Sequence, residues 1–335
     1  MASPTLLAGD IGGTKTLLSL YSVDMALLVS ERYDSAGWAD LAPMVRAFLQ
    51  GPAAAAGVSH PSAACMAVAG PVQAGRARLT NLPWQLEATQ LAAAADIPRL
   101  ELVNDFAVLI YGLPHLQEHQ QAVVRAGRAQ ADAPLLVLGA GTGLGVAYGI
   151  PTPSGLQAVA SEGAHGEFAP RSEAEWQLKQ WLQADLGLGR LSIERVVSGT
   201  GLGLVARWLL ATTAEGAAHP LAPLAADAVQ DLPAAVAAAA AAGDPLATRA
   251  LELWLSAYGS VCGDLALAAL SRGGIWLAGG TAAKLLDALR QGPFGAAFLD
   301  KGRLAAVLEP IPITAIVDPE IGPYSAACRA RMLLG

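Results

Sequence analysis

The sequence twice places an apolar strand, a glycine-rich turn and a second strand in direct succession. The first copy spans residues 5–23 around the turn Gly-Asp-Ile-Gly-Gly-Thr-Lys at 9–15. The second spans residues 135–150 around the turn Gly-Ala-Gly-Thr-Gly-Leu-Gly at 139–145. A strand, a glycine turn and a second strand indicate one glycine-rich β-turn between two strands in each half of the chain. The repeated order predicts a chain of two related α/β halves, alike in architecture although not in sequence.

Neither glycine turn fits the spacing of the common nucleotide motifs. In the first turn Gly9 is followed by four residues and then Thr14, where a P-loop requires glycine before its lysine. In the second turn Leu144 stands where a dinucleotide fingerprint requires its third glycine, and a strand follows where that motif requires a helix. Successive N–H groups of a glycine turn can bind an anion. A single turn could be an idle hairpin, but two in matching positions favour phosphate binding.

The remaining pattern predicts strands alternating with helices over 335 residues, which is too long for one compact core. We therefore expect two domains. Further strands are predicted at 27–33, 63–69, 100–103, 274–278 and 313–317. Helices are predicted at 39–50, 87–95, 173–185, 201–212, 227–242, 245–270 and 324–334.

Composition excludes several classes of protein. The net charge is −7 and lysine and arginine are not clustered, which argues against a nucleic-acid partner. The longest apolar run, 234–242, is far shorter than the ~20 residues of a membrane helix. No positive side chain precedes Asp10, so we expect no signal peptide. The widely spaced Cys65, Cys262 and Cys328 predict buried thiols rather than disulfides or a zinc site, and hence a cytoplasmic protein.

The two turns resemble the two phosphate loops of the sugar kinase, actin and heat-shock ATPase superfamily. Other segments resemble the bacterial glucokinase family, in order along nearly the whole chain: Val103-Asn104-Asp105-Phe106, the stretch 161–170, the stretch 194–199, Gly279-Gly280-Thr281 and the stretch 298–303. The resemblance implies an α/β, two-domain, actin-like ATPase (ribonuclease H-like) fold with a central cleft. It implies a small N-terminal α/β domain, 1–110, joined by the C-terminal helix 318–335, and a large α/β domain, 111–317.

The chain departs from the family pattern at two places. Ala164 and Glu167 stand in the second sugar loop where the family usually has glycine and aspartate, while the flanking Glu162 and His165 are retained. In the first turn, Lys15 replaces a residue that is uncharged in several relatives.

The resemblance implies an ATP-dependent glucokinase that transfers phosphate to the 6-hydroxyl of glucose, with Asp105 as general base. Asp105 follows a strand and precedes a predicted helix, whose dipole is expected to favour the ionised carboxylate. An ordinary helix N-cap is the alternative for an aspartate in this position.

The other site residues follow from the same resemblance. Asp10 is expected to hold Mg²⁺ through water, since a bare carboxylate inside a phosphate turn would otherwise repel ATP. The predicted sugar ligands are Asn81, Asn104, Asp105, Glu162, His165 and Glu194. The predicted ATP contacts are Asp10, Gly12, Gly13, Thr14, Lys15, Gly141, Thr142, Gly143, Gly279 and Gly280.

Alternatives remain open at this stage. The same scaffold could serve as a non-catalytic sugar-binding regulator, although such a sensor needs neither phosphate turn nor base. The acceptor could be another hexose, and the phosphoryl donor could be polyphosphate rather than ATP. The family resemblance also implies a homodimer.

Overall fold

A computed structural model describes residues 4–58, 60–79, 82–226 and 231–335. The chain divides into two compact units. The first unit comprises Met1–Gln117, Thr152–Ala160 and Asp318–Gly335, and the second comprises Glu118–Pro151 and Ser161–Val317.

Residues 111–117 and 152–160 belong to the first unit, whereas the sequence assigned both stretches to the large domain. Two contacts account for the placement of 152–160: the Ala158 N–H donates to the Tyr111 hydroxyl at 3.4 Å, and Gly155 packs near the end of the Met332 side chain. The other domain boundaries stay a prediction.

The first unit is built on a five-stranded sheet in the order β3-β2-β1-β4-β8. Its strands are β1 Thr5–Ile11, β2 Lys15–Ser22, β3 Leu27–Asp34, β4 Ala63–Val68 and β8 Leu100–Asn104, and a small second sheet contains β5 Val72–Gln73, β6 Arg76–Arg78 and β7 Gln85–Glu87. Its helices are α1 Leu41–Phe48, α2 Ala88–Ala95, α3 Leu109–Gly112 and α14 Ile321–Met332. Strands β1, β4 and β8 are parallel, and β2 and β3 extend the sheet as antiparallel hairpins.

In the second unit β11, β10, β13 and β14 repeat the order of β2, β1, β4 and β8, and β9 adds an antiparallel strand beside β14. The strands that follow β8 along the chain are β9 Gln121–Arg125, β10 Leu135–Ala140, β11 Leu144–Thr152, β12 Gly155–Ser161, β13 Gly274–Ala278 and β14 Ile313–Ile316. The helices are α4 Glu173–Asp185, α5 Ile193–Val196, α6 Gly199–Thr212, α7 Ala222–Ala226, α8 Leu232–Ala241, α9 Pro245–Ala269, α10 Gly280–Lys284, α11 Leu286–Leu289, α12 Gly292–Leu299 and α13 Ala305–Leu308. In both units the antiparallel hairpin precedes the parallel strands, which confirms the predicted duplication.

Each unit has its own apolar core. Strands β4 and β10 are buried along their whole length, as expected of central parallel strands covered on both faces. In the first unit α14 packs against β1 and β4. In the second unit the rings of Trp254 and Tyr258 of α9 have centroids 5.2 Å apart, and Tyr258 packs edge to face on Phe294 of α12 at 5.4 Å. These cores make the strand ends rigid supports for the loops that follow them.

The predicted elements agree closely with the structure. The predicted helix 173–185 has the same bounds as α4, and the predicted helix 245–270 corresponds to α9. The predicted helix 227–242 begins outside the described residues, and its described part contains α8. All three cysteines are buried and free, as predicted. Among the helices of the described residues, none combines the length and apolarity needed to cross a membrane.

Candidate functional site

The first glycine turn joins β1 to β2 and is held by hydrogen bonds from both sides. The Gly12 N–H donates to the Lys15 carbonyl at 3.0 Å, and a side chain at position 12 would collide with that carbonyl. The Ser35 hydroxyl donates a hydrogen bond to the Gly12 carbonyl, and the Ser35 N–H donates one to the Thr14 carbonyl, both at 2.9 Å. Ser35 is fully buried. The turn is therefore rigid, while Thr14 and Lys15 remain exposed.

Asp10 lies near the end of β1, two residues before Gly12. It pairs in register with Leu17 of β2 and Ala67 of β4. Burial raises the pKa of the Asp10 carboxyl, and the nearby negative charge of Glu320 raises it further, against a smaller opposing effect of Arg32. A carboxylate in such surroundings is stabilised by any cation placed beside it.

Asp105 follows the carboxyl end of β8, at the same edge of the sheet as Asp10. Its N–H donates to the Val68 carbonyl at 2.9 Å, which extends the β4–β8 ladder by one residue. Surrounding protein atoms raise the pKa of Asp105 to about 6, with a further contribution from the charge of Asp10, although the residue keeps an exposed surface. Because carboxyl ends of parallel strands gather functional groups at one edge, the adjacency of these two acids was predictable.

The local structure around Asp105 corrects one expectation. Residues 105–108 form turns, and the helix that follows, α3, has only four residues and begins at Leu109. The expected lowering of the Asp105 pKa by a helix dipole is therefore not seen. Desolvation and the negative charge of Asp10 raise this pKa. The capping role expected of an aspartate is performed by Asn104, whose Oδ1 accepts from the N–H groups of Phe106 and Ala107 at 3.1 and 3.0 Å.

The Asn104 side chain also orients the acid beside it. Its Nδ2 donates to the Asp105 Oδ1 at 3.0 Å and to the Gly70 carbonyl at 3.1 Å. The Asn104 amide thus links Asp105 to the loop after β4 and restrains one oxygen of its carboxylate.

The second glycine turn joins β10 to β11 and is braced by the start of α6. The Gly141 N–H donates to the Gly143 carbonyl at 2.8 Å, while the Gly141 carbonyl accepts from the Gly199 N–H at 2.7 Å. The Thr200 hydroxyl donates to the Thr142 carbonyl at 2.9 Å. As in the first unit, the turn is fixed through its carbonyls, and the Thr142 side chain is left exposed.

A pocket of about 410 Å³ opens beside the second turn. The turn contributes Gly141 and Thr142, and the other wall includes Gly280, which follows β13 after Gly279. Gly279 has φ +83°, and a side chain there would crowd the Ala140 carbonyl. The pocket is further lined by Thr281, Lys284, Asp231, Pro233 and Ala237. Its volume lies in the range typical of small-molecule sites.

The predicted sugar loop brings Glu162 and His165 together at its surface. The two side chains approach to 3.5 Å and are 76% and 57% exposed, so both can be reached by a ligand. Glu167, one of the departures from the family pattern, forms ion pairs with Lys179 at 2.6 Å and Arg190 at 3.3 Å. Arg190 also donates to the His165 carbonyl at 2.6 Å. Glu167 therefore helps to hold the sugar loop in place through Arg190, which contacts the His165 carbonyl.

Glu194 lies at the second glycine turn. It lies in the first turn of α5, and its Oε2 accepts from the Leu144 N–H at 2.9 Å. Gly143 leaves the space that this carboxylate occupies. Asn81, the remaining predicted sugar ligand, lies outside the described residues.

Metal ligands are sparse in the part of the chain that the structure describes. No group of three or more His, Cys, Asp or Glu side chains there could hold a metal ion. Mg²⁺ requires no such cage when it arrives with nucleotide phosphates, because it then needs only one or two carboxylates and keeps several waters. Asp10, a partly buried carboxylate next to a phosphate-type turn, fits that role.

Comparison with known proteins identifies the family of this chain. The Glucokinase family matches residues 7–332 of the chain. The glucokinase of Synechocystis sp. is 41% identical over 346 aligned positions, which cover 97% of this chain and 98% of that protein. The chain belongs to the glucokinase family.

Solved structures of the glucokinase family share the fold. The glucokinase of an Antarctic psychrotroph superposes with a TM-score of 0.82 at 28% identity, over 98% of this chain and 99% of that one. A ROK family glucokinase from Streptomyces griseus, solved in complex with glucose and AMPPNP, superposes with a TM-score of 0.65 at 20% identity, over 98% and 99% of the two chains. The predicted α/β fold of the actin-like class is thereby confirmed.

Several residues that build the site were missed by the sequence analysis. Ser35 and Thr200 brace the two turns, and Thr281 donates its hydroxyl to the Ala140 carbonyl at 2.5 Å. Thr281 directly follows a predicted glycine pair and could have been included on that signal. Ser35 lies 23 residues from the carbonyl that it supports, and no local pattern in the sequence marks it.

Proposed function

We propose that this member of the glucokinase family transfers the γ-phosphoryl group of ATP to the 6-hydroxyl of glucose, with Asp105 as the general base. The observation that carries the proposal is the Asp105 carboxylate, with a pKa raised to about 6 and fixed at the end of β8 by Asn104. A base with a pKa just below neutral pH is ionised in the cell yet basic enough to accept a proton as transfer proceeds.

The proton and the phosphoryl group move in balance. The sugar hydroxyl gives its proton to an Asp105 carboxylate oxygen while its oxygen forms a bond to the γ-phosphorus, and ADP leaves with the bridging oxygen. Glucose 6-phosphate departs, and Asp105 returns its proton to solvent. Asn104, which donates to Asp105 Oδ1, keeps the other oxygen of the carboxylate directed for this transfer.

The phosphates are proposed to bind to the two glycine turns. Gly12, Gly13, Thr14 and Lys15 in the first unit and Gly141, Thr142 and Gly143 in the second offer N–H groups, hydroxyls and one ammonium. When bound with ATP, Mg²⁺ neutralises phosphate charge, and Asp10 would hold it through water. The raised pKa of Asp10 supports this role, because a cation there would offset the repulsion from Glu320.

The donor is proposed to be a nucleotide rather than polyphosphate. The pocket beside Gly280 supports this choice, because its apolar side chains Leu202, Ala234 and Leu285 suit a nucleotide base, a group that a chain of phosphates lacks. The AMPPNP complex of the Streptomyces griseus protein is consistent with a nucleotide donor.

The acceptor is proposed to be glucose, bound by Asn104, Asp105, Glu162, His165, Glu194 and Asn81. Carboxylates, an imidazole and amides suit the adjacent hydroxyls of a hexose, because each accepts or donates at a defined position. Such a site rejects sugars that leave its polar groups unpaired. The Streptomyces griseus protein was solved in complex with glucose, which is consistent with this acceptor.

An enzyme assay with a panel of sugars and donors tests the proposal. ATP and glucose together should give turnover, detected by coupling glucose 6-phosphate to NADP⁺ reduction, whereas polyphosphate or epimeric hexoses should give little. Asp105→Asn should abolish turnover while calorimetry still detects glucose binding. Glucose binding by the unmodified protein without turnover would instead support the regulator alternative.

Two broader properties belong to the same proposal. The three buried, free cysteines suit the reducing cytoplasm. A homodimer is proposed from the family resemblance, and light scattering coupled to size exclusion at micromolar concentration would test it.

A further inference from the structure

A short stretch of the second unit contacts both the sugar loop and the second glycine turn. We call residues 191–200 the bridging segment. At its start the Phe168 N–H donates to the Leu191 carbonyl at 2.8 Å, and the Ile193 N–H donates to the Gly166 carbonyl at 2.9 Å. At its end Gly199 and Thr200 brace the second turn through two further hydrogen bonds. The segment thus runs from the sugar loop to the phosphate turn.

Glu194 is the acidic side chain in the middle of this bridging segment. Its Oε2 accepts from the Leu144 N–H, the first N–H of β11 after the turn. With Glu194 in place, Leu144 is 5% exposed. Gly143 presents its bare Cα to the same oxygen, and a methyl group at position 143 would overlap it. The Glu194 carboxylate therefore occupies the space that the absence of a side chain at Gly143 leaves open.

We propose that Glu194 is a positioning residue for the second glycine turn, holding it in the conformation that binds nucleotide phosphate. The ligand named here rests on the proposed function above. One carboxylate has more acceptor sites than a single N–H uses, so the role is compatible with a sugar contact by the other oxygen. Glu194 then serves both substrates of the reaction.

If Glu194 acted only through its charge, removing it would change the nucleotide affinity in the opposite direction. A carboxylate that merely lies near bound phosphates repels them, so its removal should tighten nucleotide binding. A positioning carboxylate should weaken nucleotide binding when removed, because the buried Leu144 N–H loses its acceptor and the turn relaxes. The direction of the change therefore separates the two roles without any assumption about catalysis.

The test measures the affinity of the full chain for Mg-AMPPNP by calorimetry, with no sugar present. Glu194→Ala should bind about tenfold more weakly, the size expected for one unsatisfied buried N–H. Glu194→Gln retains an oxygen acceptor for Leu144 and should stay within about twofold of the unmodified protein. Glu309→Ala is the matched control, because it removes an equal charge at an exposed position of the second unit that the proposed site does not use, and its nucleotide affinity should also stay within about twofold.

Unchanged or tighter binding by Glu194→Ala would overturn the proposal, as would equal losses in the alanine and glutamine variants. Absence of nucleotide binding by the unmodified protein would overturn the proposed function as well, so the two failures can be told apart.

If Glu194→Ala does not fold, a double-mutant cycle between positions 143 and 194 tests the same proposal. Gly143→Ala should weaken nucleotide binding, since the new methyl group collides with the Glu194 carboxylate. Glu194→Asp withdraws the carboxylate by one methylene and should also weaken binding. The double variant should be no weaker than the poorer single variant, because the shorter acid makes room for the methyl group. Additive losses would show that the two positions act independently and would overturn the proposal.

Discussion

Replacing Asp105 by asparagine should stabilise the fold while it removes activity. The carboxylate is held among protein atoms and near Asp10, both of which disfavour its charge. An amide has nearly the same shape and can still accept the hydrogen bond from Asn104 Nδ2. The substitution therefore removes an unfavourable charge and leaves the local hydrogen bonds in place.

The expected gain in stability follows from the pKa of Asp105. A rise from 3.8 to about 6 would correspond to ~3 kcal/mol for a fully buried group, at ~1.4 kcal/mol per pKa unit. Asp105 keeps an exposed surface, and solvent screening reduces this to ~1 kcal/mol. For a chain of this size, a change of ~1 kcal/mol raises Tm by about 2 °C.

The gain should depend on pH in a defined direction. Above pH 6 Asp105 is ionised in both folded and unfolded chains, so the folded state bears the full cost of its charge. Below about pH 4 both states are protonated, and the cost disappears. The Asp105→Asn variant should therefore exceed the unmodified protein in Tm at pH 8, with the difference shrinking toward zero as the pH falls to 4.

Differential scanning calorimetry at pH 8 and pH 4.5, together with steady-state kinetics, checks both halves of this prediction. The kcat should fall at least ~10²–10⁴-fold, the usual contribution of a general base. Asp24→Asn, at an exposed turn between β2 and β3, controls for the loss of one negative charge and should leave Tm unchanged at both pH values. A lower Tm at pH 8, or an equal gain at both pH values, would refute the desolvation argument. Retained kcat would refute the base assignment.

Three further predictions test other parts of the site. The kcat/KM for glucose should fall about tenfold per pH unit below pH ~6 as Asp105 becomes protonated, which a pH–rate profile measures; a flat acidic limb would contradict it. Gly9→Ala should cost ~1–3 kcal/mol in urea unfolding, because its methyl group would overlap the buried Met66 sulfur, whereas Gly37→Ala meets open space and should cost much less. Ser35→Ala should raise the KM for Mg-ATP several-fold with a smaller change in kcat, since it loosens the first glycine turn; an unchanged KM would count against that support.

Much of the fold could be predicted because the strands carry strong local signals. Buried strands such as β4 and β10 are continuous apolar runs ended by glycine, and the long helix α9 begins at a proline after an aspartate cap. The short strands β5 and β6 were not predicted, because two or three residues with mixed burial give no period to detect.

The site was predictable where its residues follow strand ends and less so where they depend on packing. Asp105 was found because it follows a strand end in a segment that resembles the family, and Asp10 because it lies within the first glycine turn. The sign of the pKa shift at Asp105 was missed, since it depends on how many atoms surround the carboxyl and on the short length of α3. The backbone contact of Glu194 to Leu144 joins residues 50 positions apart, and only the folded chain reveals it.

The placement of α14 has a consequence for biosynthesis. This helix covers β1 and β4 of the first unit, yet a ribosome translates it about 300 residues after β1, or roughly 15 s to a minute later at ~5–20 residues per second. During that interval the apolar face made by these strands has no native cover. We therefore expect nascent chains that lack residues beyond 317 to be bound by chaperones through β1 and β4, and to become protease-resistant in the first unit only after α14 has left the ribosome.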